Sequence, residues 1–138
     1  MRRFLTVLLA STLVGCAGGT LYTSLAGVSS VAPTDAYVCA EKQLQLLEYR
    51  RAQYDNKALF IIGERRNDDE AGHGATFRKT LDILEVYVKP GSSATSELSV
   101  KARTFDEQSN SQGVTRDERK SSNRVLADAR KLGQACAS

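Results

Sequence analysis

Beyond residue 33 the apolar positions fall into alternating helical and extended rhythms. Over residues 36–47, Ala36, Ala40, Leu44 and Leu47 recur at steps of four, four and three, which predicts a helix with Thr34 or Asp35 as its cap. Residues 49–54 (YRRAQY) are polar and aromatic and read as a strand. Asp55, Asn56 and Lys57 supply turn chemistry, and the apolar run of residues 58–62 reads as a second strand, so the two form a hairpin. The charged, Gly-containing stretch 65–75 reads as a loop. Strand character returns over residues 77–88, with Leu84, Val86 and Val88 on one face and Leu81, Ile83 and Tyr87 on the other. Pro90 and Gly91 turn the chain, and Leu98, Val100 and Ala102 then alternate with Ser99, Lys101 and Arg103. Residues 106–114 read as a further loop. Thr115 with Glu118 matches a capping box, and the helix placed after it carries Val125, Ala129, Leu132 and Cys136 at steps of four, three and four.

The order predicted is α-β-β-β-β-α. The fold class that follows is α+β, a two-layer sandwich in which a four-stranded antiparallel sheet is covered on one face by two helices. At 138 residues the chain has room for one such domain, placed at residues 34–138. Its 41% hydrophobic and 25% charged composition excludes a disordered polyelectrolyte and a polytopic membrane protein.

The amino end follows different rules. Arg2 and Arg3 precede an apolar stretch, residues 4–14, interrupted only by Thr6, Ser11 and Thr12. Eleven helical residues span about 16 Å, half of a hydrocarbon core of about 30 Å, so the stretch reads as an export signal. It closes on Leu13-Val14-Gly15-Cys16. That tetrad resembles the lipobox of bacterial lipoproteins. The resemblance implies a diacylglyceryl thioether on Cys16, removal of signal peptide 1–15 and acylation of the new amino terminus. Palmitate is the expected kind of chain, and two or three chains together anchor stably where one does not. Ala17 in place of Asp leans towards the outer membrane, facing the periplasm, with the inner membrane as the other destination. Residues 16–33 then comprise the lipidated Cys and a flexible tether rich in Gly, Ser, Ala and Thr, whose last seventeen residues have a root-mean-square reach of about 22 Å and a contour of about 55 Å.

Export changes two counts. Loss of Arg2 and Arg3 lowers Lys plus Arg from 19 to 17 against 16 acidic residues, so the net charge falls from +3 to +1 and no attraction to nucleic acid remains. With Cys16 acylated, Cys39 and Cys136 are left, and an oxidising compartment favours a bridge between them. Two buried thiols or a two-Cys metal pair are the alternatives, and no CxxC or nearby His supports the latter. The run from Asp35 to Arg65 with a late helix ending in Cys136 also resembles a group of small bacterial envelope lipoproteins. In outline the layout is similar to the helix-on-sheet domains of outer-membrane assembly lipoproteins of the BamC type.

The catalytic inventory is thin. His73, the single imidazole, sits between two glycines, and Asp68, Asp69 and Glu70 beside it match no cation loop. No catalytic residue, metal ligand or cofactor is assigned, and the chain is read as a non-enzyme. A possible binding face gathers Arg51, Lys101, Arg103 and Phe105 on the uncovered side of the sheet, with Arg50, Arg65, Arg66 and Tyr54 as further candidates. The expected function is a membrane-anchored binding or assembly module with an envelope protein as partner. The alternative is a small-ligand, lipid or peptidoglycan-binding domain using the open sheet face.

Overall fold

A computed structural model describes residues 19–67 and 77–137. The elements in chain order are β1 (Thr23–Ser29), α1 (Pro33–Leu46), β2 (Arg50–Asp55), β3 (Phe60–Asn67), β4 (Phe77–Pro90), β5 (Ser96–Asn110), β6 (Gly113–Arg119) and α2 (Asn123–Cys136). The fold is α+β, with one antiparallel sheet and two helices. The sheet has six strands and not four, and α1 is preceded by a strand. The order across it is β1-β5-β4-β3-β2, with β6 also paired to β5. β5 is long enough to carry two strands along one edge: β1 pairs with its residues 96–102 and β6 with residues 104–110. Ser121 closes the junction, its N–H donating to the Leu21 carbonyl (3.0 Å) and its hydroxyl to the Ala102 carbonyl (2.8 Å).

The helices share one face of the sheet. Ala36, Tyr37, Ala40 and Leu44 of α1 and Val125, Ala129, Leu132 and Cys136 of α2 pack on Ile61, Leu84, Val86, Val88, Leu98, Val100 and Ala102. Close approach of α1 needs a missing side chain on β3: a Cβ at Gly63 would lie 2.9 Å from both Leu44 Cδ2 and Tyr49 Cβ. Cys39 and Cys136 form a disulfide with Cα atoms 5.8 Å apart, so the middle of α1 and the end of α2 are tied together.

Several boundaries differ from the sequence expectation for identifiable reasons. Residues 23–29, expected within the tether, pair in unbroken register with β5. The Thr115–Glu118 pattern is not a helix cap. It lies in β6, where Arg116 and Glu118 stand opposite Glu107 and Phe105. The cap of α2 is Ser122, whose hydroxyl accepts from the Val125 N–H (3.1 Å). Neither Thr34 nor Asp35 caps α1, which opens with Pro33 as its first helical residue after Ala32. β5 also runs through most of the expected loop 106–114, turning only at Asn110, whose side chain accepts from the Gln112 N–H (2.8 Å).

Candidate functional site: the open face of the sheet

Side chains alternate along a strand, so register decides which residues meet on the uncovered face. Lys101, Arg103 and Phe105 of β5 meet there, beside Glu85, Leu81 and Ile83 of β4, Glu64 and Arg66 of β3, and Arg116 and Glu118 of β6. Arg51 does not join them. It lies opposite Gly63, on the helix side of edge strand β2, paired with Glu41 of α1 (2.6 Å) and stacked over Tyr54 at 4.2 Å. A bulge between Arg51 and Gln53 changes the alternation inside β2, so Arg51 and Tyr54, three residues apart, both lie on the helix side, opposite Gly63 and Ile61.

The cations of the open face are joined to carboxylates in two networks. Arg103 reaches Glu118 (2.8 Å) and Glu85 (2.8 Å), Lys101 also reaches Glu85 (3.5 Å), and the Arg103 guanidinium lies over the Phe105 ring at 4.8 Å. Arg66 and Arg116 share Glu107 (3.0 and 2.9 Å), with Glu64 at 3.9 Å from each. Hydrogen bonds from Arg66 and Arg116 hold the Glu107 carboxyl below the usual carboxylate range, and those from Arg103 do the same to Glu118. The same contacts, Glu118 first and then Glu85, raise the proton affinity of Arg103. The two networks contain four cations and four carboxylates. The two networks are therefore balanced in charge, and their guanidinium groups are already bonded to carboxylates that an incoming anion would have to displace.

These ion pairs also have a structural effect. Leu81 and Ile83 point away from the helices yet are buried. Leu81 lies between Arg66 and Phe105 in register, and Ile83 between Glu64 and Arg103. The aliphatic stems of the charged residues cover them while the charged heads stay at the surface. A shallow hollow of about 350 Å³, lined by Arg66, Lys79, Glu107, Ser109 and Val114, adjoins this layer.

A second polar group sits under the helices. Arg65 shares its face with Ile61 and Gly63, and Asp82 shares its face with Leu84 and Val86. The Arg65 guanidinium donates to Asp128 of α2 (2.6 Å) and to the Leu47 carbonyl (2.8 Å), and stacks over Tyr49 at 4.4 Å. Tyr49 donates to the same Asp128 oxygen (3.1 Å). Burial, opposed by Arg65 and reinforced by Asp128, drives the Tyr49 phenol far above its ordinary proton affinity, so it stays a donor. Asp82 is fully buried and accepts from Thr104 (2.8 Å), Ser122 (3.0 Å) and Asn67 (3.0 Å). Sequence reasoning missed this cluster, although Asp82 and Arg65 fall in phase with core residues of their strands.

The remaining candidates lie outside the described residues: Cys16, Asp68, Asp69, Glu70 and His73. No family model matches the chain, and no curated protein matches it.

Proposed function

We propose that this chain is a lipid-anchored envelope lipoprotein whose domain serves as a non-catalytic binding or assembly module for another envelope protein. The observation that carries the reading is Leu13-Val14-Gly15-Cys16 closing a leader that is basic and then apolar. The cysteine arithmetic supports it. Cys39 and Cys136 pair with each other, which leaves Cys16 as the third cysteine, and a disulfide suits an exported domain. Ala17 favours the outer membrane, with the domain in the periplasm. β1 begins at Thr23, seven residues beyond Cys16. Seven residues span at most about 25 Å, so the domain is held closer to the headgroups than a seventeen-residue tether would hold it.

The ligand-binding alternative is the weaker reading, because the Arg103 and Arg66 networks already satisfy the cations that would recognise an anionic lipid or glycan. Palmitate labelling tests the anchor. Wild type takes up label and sediments with the outer membrane, and Cys16→Ser does neither. Recovery of an unlabelled chain from the cytosol with Arg2 and Arg3 intact would overturn the reading. Crosslinking in intact envelopes followed by mass spectrometry tests the partner, and a chain recovered only with itself would count against a separate one.

A further inference from the structure

We propose that the outer edge of β1 docks a second copy of this chain, joining two sheets through an antiparallel β1–β1 pair. Among the described residues β1 pairs only with β5, so its other edge carries backbone N–H and C=O groups with no strand beside them. The two edges of the sheet differ in protection. β2 carries Arg50, Arg51 and Asp55 and a bulge, devices that discourage strand addition. β1 reads TSLAGVS, with no charge, no proline and no break in register. Exposed apolar side chains gather at this edge: Val28 is 63% exposed, Leu21 46% and Tyr22 37%.

The shape of the edge selects the occupant. A hollow of about 250 Å³ opens on its helix side, between Leu25, Gly27 and Val100 on the sheet and Ala129 and Gly133 on α2. A second, of about 340 Å³, opens on the other side, lined by Ala26, Val28, Tyr87 and Ser99. A Cβ built at Gly27 or Gly133 meets no atom within 4 Å, so the helix-side space is free. Successive side chains of an extended strand point to opposite faces, so a strand laid along β1 reaches both hollows and also pairs the open backbone edge. A helix or an acyl chain reaches one hollow and leaves the edge unpaired.

β1 is complementary to itself. In an antiparallel register centred on Ala26, Leu25 stands opposite the second copy's Gly27, and the symmetry repeats the contact in reverse. Each leucine then points into the hollow that the facing glycine leaves on the helix side. Ser24 faces Val28, Thr23 faces Ser29, and no charges oppose one another. The pairing involves none of the lipid chemistry at Cys16 and stands independently of it.

Cysteine crosslinking of the full chain in isolated membranes tests the register, with the wild-type chain as background. Ala26→Cys is expected to give a disulfide-linked dimer under mild oxidation, since facing strand residues lie within bridging distance. Ser24→Cys and Val28→Cys should crosslink efficiently only when co-expressed. In detergent, sedimentation should show a concentration-dependent dimer, and Ala26→Lys, placing two ammonium groups face to face, should weaken it at least tenfold with an unchanged circular dichroism melt. A wild-type chain that stays monomeric at every concentration overturns the proposal. So does a dimer indifferent to Ala26→Lys, or crosslinking at Val28→Cys alone with none at Ala26→Cys.

Discussion

Replacing Arg65 by Met removes a buried cation that ties the sheet to Asp128 of α2 while keeping most of its stem. The guanidinium stands 2.6 Å from Asp128 and 3.9 Å from Asp82, and all three side chains are nearly or fully buried. Arg65→Met leaves two carboxylates in the interior without that counter-charge and leaves the Leu47 carbonyl without its 2.8 Å donor. Breaking a buried ion pair from one side costs about 3–5 kcal/mol, against a net stability of about 5–15 kcal/mol for a whole domain. At about 4–8 °C per kcal/mol for a domain near 100 residues, the thermal midpoint should fall by roughly 12–40 °C. Urea titration followed by far-ultraviolet circular dichroism measures the loss. The double variant Arg65→Met/Asp128→Asn separates mechanism from packing. It removes the nearer of the two stranded charges but keeps an acceptor for the Tyr49 hydroxyl, so it should recover about 1 kcal/mol or more of the loss. If Arg65→Met unfolds within about 1 kcal/mol of wild type, or the double variant is no better than the single, the cluster is not the electrostatic tie described here.

Three further outcomes are expected. Cys39→Ser/Cys136→Ser opens a loop of 97 residues and should lower stability by about 4–5 kcal/mol in the loop-entropy account, with urea midpoints compared under oxidising conditions as the check. Glu48 holds a positive φ of 65° at the end of α1, where its N–H donates to Gln45 O and that of Tyr49 donates to Leu44 O, so Glu48→Gly should raise the thermal midpoint by relieving about 1 kcal/mol of backbone strain. The carboxyls of Glu107 and Glu118 are held below their ordinary range by arginine, so their contribution is complete at neutral pH. It is lost as the pH falls from about 4.3, the unfolded value, through the lower native ones. An acid titration of stability should decline in that window, and Glu107→Gln/Glu118→Gln should be less stable at pH 7 with a shallower acid limb.

The stripes of α1 and α2 and the alternation in β4 and β5 were legible because large apolar residues recur with the period of the element. The Asp55 turn was legible for a chemical reason: its carboxylate accepts from the Lys57 and Ala58 N–H groups at 2.8 and 3.0 Å. The pairing of Cys39 with Cys136 followed from count and phase together. β1 was not legible, because its core-facing positions are Thr23, Leu25, Gly27 and Ser29, and one leucine makes no period. β6 misled for the opposite reason. Threonine three residues before glutamate is a real helix signal, but here Arg116 and Glu118 meet partners on β5 and β3, and strand pairing prevails over local preference. The open face was readable as to which residues of β5 share it. The charge balance of its two networks was not, because the carboxylates come from β3, β4, β5 and β6 and meet their cations through strand register.

The disulfide closes a covalent ring from residue 39 to residue 136, and β1 lies outside that ring. A pull applied at the amino end therefore enters through a strand held by its ladder to β5, by Leu25 against the core, by Lys101 over the Tyr22 ring and by the Ser121 contacts at Leu21, with no covalent cross-link of its own among the described residues. That strand is the mechanical fuse of the molecule: under tension it peels first, and the cross-linked remainder stays intact behind it as a body to which it can re-zip when the load is released.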